Sequence, residues 1–505
     1  MKFKHIIMAA LAVVIMIACS EDFLDRPSQS ALTSAVYFKT QADFESAVNG
    51  IYAPLRSFYN TQERNNTWTP PNLLMGDMHS DNARYYYNPN YRASAGNEIP
   101  ADFIPENTLF SGYWNSFYSW ITRANQVLSV IDNDGINWDS NVIRDNLKGQ
   151  ALFLRAFSYW QLAQIYGNAC IHLQPVTTVE GASVPLSSRS DVIEVIKTDA
   201  SLAAALLLNK ADQQAGRVTS GTAKMLLAEV AIWEKDYGTA ETLLLSLRSE
   251  YSLMPSYADV FDPAKKNNSE SIFEIQYSNV SSTYSSNFAY PMMPYPMSAD
   301  VMASLTGANN ATALTEGEGF CTPTPNLIAA YEPDDERFDI TIQYISNANG
   351  SVVPTCVKYL SEHPLYWQAD DNMPIYRYAE ALLFLAEAIN EQPGSRQQDA
   401  MVYVNEVRNR AGLLDNNTAS TQAEVREAIL QERRVELAFE GKRFWDLVRF
   451  DILEDVITDY GNAVRADPIG HYLGVGITVG PTAFTDFRTK FNIPDNERLY
   501  NPYID

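Results

Sequence analysis

The chain has 505 residues, of which 46% are hydrophobic and 19% charged, so it can build a large core and is not a disordered chain. Its 37 Lys+Arg against 61 Asp+Glu give a formal net charge of −24, with no basic stripe or Arg-rich block, which excludes the usual electrostatic basis of nucleic-acid binding. Four cysteines without a C-x-x-C pair, five histidines, and the absence of H-E-x-x-H, a Walker loop, G-x-S-x-G and G-x-G-x-x-G leave no motif for a metal centre, a cofactor or a common catalytic apparatus.

The N-terminus reads as a lipoprotein export signal over residues 1–18. Lys2 and Lys4 precede an unbroken apolar run from Ile6 to Ile17, too short to span a bilayer, which takes about 20 residues. The run ends Met16-Ile17-Ala18-Cys19, a lipobox-like sequence that makes Cys19 the expected lipidation site. Several acyl chains on one residue would anchor the chain stably, whereas one alone is marginal. Residues 19–30 then read as an acidic, solvated tether, and 31–505 as one domain.

Helical periodicity dominates the chain beyond the tether. Phe44, Val48 and Ile51 share one face, and apolar residues recur at three and four from Tyr113 to Ile131. Gly149 to Gly167 is apolar nearly all round, which predicts a helix buried on several sides. Val192–Leu208, Thr222–Trp233 and Ala240–Leu247 continue the pattern, with alanines where two helices can approach closely, in the manner of tetratricopeptide hairpins. From about 251 to 374 helical period gives way to Pro, Asn, Ser, Gly and Tyr, which predicts a loop-rich insert with short strands such as Ser271 to Tyr277. Helices resume at Tyr378–Ile389 and Met401–Arg410, and from Val425 to Phe450 with a break at Gly441. The tail beyond Tyr460 reads as irregular. The fold class is therefore mainly α, with a helical-repeat body over about 40–250 and 375–450.

Glu432 falls on the apolar stripe Val425, Ala428, Ile429, Val435 and Phe439. A buried carboxylate needs a partner, and Arg433, Arg434, Arg443 and Arg449 are the candidates nearby. Arg443 and Asp446 also stand at i, i+3.

Several blocks together resemble the SusD/RagB family. They are Leu154-Arg155-Ala156-Phe157-Ser158-Tyr159-Trp160 with Tyr166-Gly167; Arg377-Tyr378-Ala379-Glu380-Ala381-Leu382-Leu383-Phe384-Leu385-Ala386-Glu387-Ala388; Val404-Asn405-Glu406-Val407-Arg408-Asn409-Arg410-Ala411-Gly412; and Glu432-Arg433-Arg434-Val435-Glu436-Leu437-Ala438-Phe439-Glu440-Gly441-Lys442-Arg443-Phe444-Trp445-Asp446. Ile493-Pro494, Glu497 and Asn501-Pro502 resemble the family's closing pattern, although the further Gln-Asn-Pro-Gly-Tyr of many members is missing. The resemblance implies a SusD-like fold and a non-catalytic lipoprotein of the outer membrane, facing outward over a SusC-like TonB-dependent transporter. Such a protein captures oligosaccharide, or in some relatives peptide, in a shallow site made from loops; no cofactor is expected and no metal ligand is identified, and the sequence leaves open a Ca²⁺ ion in a loop.

Sugars suit loops that combine aromatic faces with hydrogen-bonding side chains. The run Asp81-Asn82 through Tyr85-Tyr86-Tyr87-Asn88-Pro89-Asn90-Tyr91 fits that description, as does Tyr284 to Met297. Asp81, Asn82, Tyr85, Tyr87, Tyr91, Tyr290 and Tyr295 are the predicted ligand-binding residues. Two alternatives stay open. A glycoside hydrolase needs two carboxylates at a set separation, for which Asp77 and Asp81 can be proposed, and a tetratricopeptide scaffold would bind a peptide instead. A Cys321–Cys356 disulfide is conceivable but unsupported.

Overall fold

The computed structural model describes residues 37–60, 70–86, 108–313, 319–473, 479, 484–485 and 487–504. The signal segment, Cys19, Tyr87 and Tyr91 lie outside the described residues. The main helices are α1 (Gln41–Phe58), α2 (Pro71–Gly76), α3 (Thr108–Leu128), α4 (Asn141–Ile165), α5 (Arg189–Leu206), α6 (Ser220–Trp233) and α7 (Tyr237–Leu247). After the insert come α9 (Tyr378–Glu391), α10 (Gln397–Arg410), α11 (Gln422–Glu436), α12 (Arg443–Arg449) and α13 (Leu453–Ala466).

Local sequence sets these boundaries. Thr40, Ser188 and Thr421 cap α1, α5 and α11 and are capped in return by Asp43, Asp191 and Glu424, which satisfies N–H groups that the first helical turn leaves orphaned. Buried Phe44, Val48, Ile51 and Leu55 on α1 follow the predicted face, and α4 is buried from Gly149 to Trp160 without a break. Successive helices pack on one another, α3 on α4, α4 on α5, α5 on α6 and α6 on α7. The series then passes directly from α7 to α9 and on to α10, so the helical stack continues across the insert.

The insert is closed at its base by an antiparallel pair, β2 (Ser271–Ile275) with β6 (Met373–Arg377), in the register Ser271↔Arg377 and Ile275↔Met373. Inside it lie α8 (Ala299–Thr306) and the hairpin β4 (Ile342–Ser346) and β5 (Val352–Cys356). A two-residue pair, β1 (Ala83–Arg84) with β3 (Thr322–Pro323), joins it to the segment after α2. Short helices such as α8 therefore occur where helical period was not expected, and α13 extends past Tyr460, where the tail was expected to be irregular.

A buried ion network fixes the insert to the last helices. Arg377 donates to Glu270 at 2.5 Å, Glu436 at 2.9 Å and Glu440 at 2.7 Å. Arg337 reaches Asp335, Glu432 and Glu436, Arg410 pairs with Glu270 and Glu436, and Lys358 meets Glu440 at 2.6 Å. Glu432 is buried and paired as expected, but its partners are Arg337 and Arg408 rather than the arginines beside it in sequence. Those serve elsewhere: Arg433 pairs with Asp446, Arg434 and Arg443 with Asp81, and Arg449 with Glu387 and Asp446. Arg443 and Asp446 accordingly pair with other residues, not with each other. Phe439 lies beyond the end of α11, at φ +61°. Cys321 and Cys356 are separate buried thiols, so the conceivable disulfide is absent. No helix among the described residues is long and apolar enough to cross a membrane.

Candidate functional site

The segment after α2 carries the predicted ligand residues into the interior or outside the described range. Asp81 is buried, accepting from Arg443 Nε at 2.9 Å and pairing with Arg434 at 2.7 Å. Burial alone would raise its carboxyl, but these two guanidinium groups outweigh that and hold it below the ordinary range. Asn82 is buried and accepts from Arg434 Nε at 2.8 Å. Tyr85 is buried, its ring 5.0 Å from that of Phe320. These three side chains dock the segment onto the body and are not exposed ligand groups. The pattern of polar and aromatic residues was right for a loop, yet the arginines that claim it come from α11 and α12.

Asp77 has a structural task too. It caps the turn at Gly441, accepting from Phe439 N at 3.1 Å and Gly441 N at 2.7 Å. Burial pushes its carboxyl up to about 7. The buried, committed positions of Asp77 and Asp81 remove the carboxylate pair proposed for hydrolysis.

Tyr290 is also buried, contrary to expectation, but it supports an aromatic surface. Its ring centroid lies 4.6 Å from Trp367 and 4.9 Å from Tyr366. Its hydroxyl accepts from Trp367 N at 2.8 Å, so its own proton points to His363 Nε2. His363 Nδ1 in turn donates to the Ser361 carbonyl at 2.8 Å. Burial pushes the Tyr290 hydroxyl up to about 12 and holds His363 below its usual value, which keeps both groups neutral in this relay. The strap is pinned further by Tyr366 N to Asn310 Oδ1 at 2.7 Å, by His363 N to the Thr306 carbonyl, and by paired bonds between Ser286 and Ala369. Trp367 sits at φ +66°, a left-handed conformation that costs an aromatic residue on the order of 1–3 kcal/mol. Met293, Met297 and Met302 fill the space below. The result is a neighbouring pair of half-buried rings, Tyr366 and Trp367, packed on this floor, with Leu365 exposed at its edge. The predicted Tyr295 is half-buried in the same part of the insert, and its carbonyl accepts from Asn347 Nδ2 at 2.8 Å.

A second aromatic patch lies around Tyr86. The half-buried Tyr86 ring stands 5.7 Å from that of Tyr472. Burial, with Tyr460, Tyr344 and Tyr86 nearby, holds the Tyr472 hydroxyl above its ordinary value, and that hydroxyl donates to the Pro323 carbonyl at 2.6 Å. Tyr344 is exposed on β4. Backbone bonds connect the two patches: Tyr86 N donates to Gly319 O, and Gly319 N to Pro291 O, next to Tyr290.

Sequence reading missed Tyr366, Trp367, Tyr344 and Tyr472. The first two had a signal, an aromatic doublet in Pro364-Leu365-Tyr366-Trp367-Gln368 with no helical or strand period. Tyr472 had none, since it reaches the patch only through the fold.

The architecture is that of a helical-repeat protein whose long insert presents aromatic rings to solvent. Residues 341–502 match the SusD family, and residues 22–232 match a family described as starch-binding and associating with the outer membrane. The chain belongs to the SusD/RagB family. It is 23% identical to the SusD-like protein P25 of Formosa agariphila, over 91% of this chain and 92% of that one. A SusD-like carbohydrate-binding protein from Bacteroides fragilis has the same fold, with a TM-score of 0.75 at 23% identity, covering 93% of this chain and all of that one. Surface glycan-binding protein A from Bacteroides thetaiotaomicron, solved with laminarihexaose, superposes with a TM-score of 0.70 at 23% identity, over 91% and 97% of the two chains.

Proposed function

We propose that this protein is a non-catalytic glycan receptor of the outer membrane, anchored by lipid at Cys19, that holds an oligosaccharide on the Tyr366–Trp367 surface for a SusC-like TonB-dependent transporter. The observation that carries the reading is the ring pair itself. Tyr366 and Trp367 are half-buried and keep part of their surface accessible, and the backbone of their strap, residues 361–369, is tied to the body by Asn310, Tyr290 and Ser286. Rings presented in this way cover the C–H faces of a sugar without first having to be ordered, which reduces the entropic cost of binding. Family membership, the glycan-binding relatives, and the export signal with its lipobox support the same reading.

Each stacked ring contributes on the order of 1 kcal/mol beyond area burial. Two or three rings with hydrogen bonds give roughly 4 to 7 kcal/mol, a Kd of roughly 10 µM to 1 mM. Affinity of that order suits release to a transporter. Tyr86, Tyr344, Tyr472 and Tyr295 extend the proposed contact surface, and Tyr87 and Tyr91 are proposed as ligand contacts on sequence grounds alone.

The test is affinity electrophoresis against plant, host-mucin, fungal and bacterial polysaccharides, followed by calorimetry and product analysis. Retardation by a glycan without cleavage is expected, and Trp367→Ala weakens it about tenfold or more. Cleavage of the retarding glycan, or binding untouched by both Tyr366→Ala and Trp367→Ala, overturns the proposal.

A further inference from the structure

An open groove lies away from these rings. It has a volume of about 590 Å³ and runs between the second half of α1, the loop joining α5 to α6, and the end of β2. That volume falls within the range that accommodates small ligands. Gly216 makes the loop wall possible: it turns at φ +84°, with Gln276 packed where a Cβ would stand.

The groove gathers arginines without carboxylate partners among the described residues. Arg217 donates to three neutral amide oxygens, of Gln214 at 2.8 Å, Gln150 at 2.9 Å and Asn49 at 2.7 Å. The Arg56 guanidinium stacks 4.7 Å above the Tyr284 ring and makes no ion pair among the described residues. Arg123 donates to the carbonyl of Gly50 on the groove wall. Elsewhere in this acidic chain, buried Arg337 and Arg377 are each held by three carboxylates. The carboxylate that lines the groove, Glu274, accepts from Asn372 and from the Asn267 backbone instead. An unneutralised cation over an exposed aromatic face, with amides beside it, supplies what an acidic sugar requires: charge for the acid, ring for the C–H face, amides for the hydroxyls.

We propose that this groove is a second saccharide site, separate from the Tyr366–Trp367 surface, that takes a sugar residue carrying a negative charge, and that Arg56 and Tyr284 form its recognition pair. A uronate carboxylate and a sulfate ester present the same anion chemistry to a guanidinium group, and either supplies the charge.

Calorimetry on the full-length chain in mild detergent tests this, with tetragalacturonate and its methyl ester as one pair of probes and a sulfated galactan oligosaccharide and its desulfated form as the other. At least one acidic probe is expected to bind, at least about tenfold more tightly than its neutral counterpart and more weakly as salt rises. Arg56→Gln and Tyr284→Ala each reduce that binding about tenfold, and Trp367→Ala leaves it unchanged. The sensitive pair identifies the anion. Equal binding of charged and neutral probes, failure of both acidic probes, or loss in Trp367→Ala with none in Arg56→Gln overturns the second site without touching the first.

Discussion

Tyr290→Phe isolates the support of the ring pair from the rings themselves. The substitution keeps the ring that packs 4.6 Å from Trp367 and removes only the hydroxyl. That hydroxyl accepts from Trp367 N and donates to His363 Nε2. Without it, a backbone donor and a buried imidazole acceptor lose this partner, at about 1–3 kcal/mol each. A local loss on the order of 2–6 kcal/mol is expected, and it falls on the residue already strained at φ +66°. The strap should loosen, and the affinity for the retarding glycan should drop about threefold to tenfold. Hydrogen exchange should speed up across the strap around Trp367 while protection is retained in the helical stack. The relay also predicts a pH dependence. Burial holds the folded-state pKa of His363 below the ordinary 6.5, so the neutral form favours folding. That contribution is intact above about 6.5 and is lost as pH falls from there toward the depressed value. Wild-type affinity should therefore weaken on acidification in step with strap exchange, and Tyr290→Phe should flatten the dependence. Unchanged affinity and unchanged exchange in Tyr290→Phe would refute the relay as the device that orients Trp367.

Two further predictions concern charges in the interior. Glu436→Gln removes the carboxylate shared by Arg337, Arg377 and Arg410 and should cost about 3–5 kcal/mol in chemical denaturation. Burial opposes ionisation of Glu436, but the three arginines outweigh it and depress its pKa, so its contribution is present above the ordinary carboxylate range and fades as pH falls below it; a Glu436→Gln protein as stable as wild type at neutral pH would contradict the network. Asp371 behaves in the opposite sense. Burial pushes it from 3.8 up to about 7, and one of its oxygens has no hydrogen-bond partner among the described residues, so its ionisation costs the fold progressively as pH rises through that window. Asp371→Asn should shrink the fall in Tm that wild type shows between about pH 5 and about pH 8, and a fall of the same size in the variant would rule the assignment out.

Much of the body was legible because its signals are local. The faces of α1, α4 and α9 follow from periodicity. The need for a partner at Glu432 was legible too, since a charge on an apolar stripe has few alternatives. Which arginine answers it was not. Arg337 lies 95 positions away on the insert, and sequence neighbours on the same helix point to other segments. The same physics explains the burial of Asp81, Asn82 and Tyr85. Asp81, Asn82 and Tyr85 look like loop residues for a ligand because nothing in their own stretch uses them, yet Arg434 and Arg443 arrive from 352 and 362 positions on to pair with Asn82 and Asp81 and bury the segment. Tyr366 and Trp367 remain only partly buried for a complementary reason. Their backbone is consumed by Asn310 and Tyr290 and the methionines beneath already fill the core, so the rings pack over it without being enclosed. An exposed aromatic is therefore defined by what its neighbours have already satisfied, a property of the whole fold that no window of sequence contains. The arginines of the α1 groove obey the same rule in reverse: Arg56 and Arg217 became distinctive only once the structure showed which carboxylates the other arginines had taken.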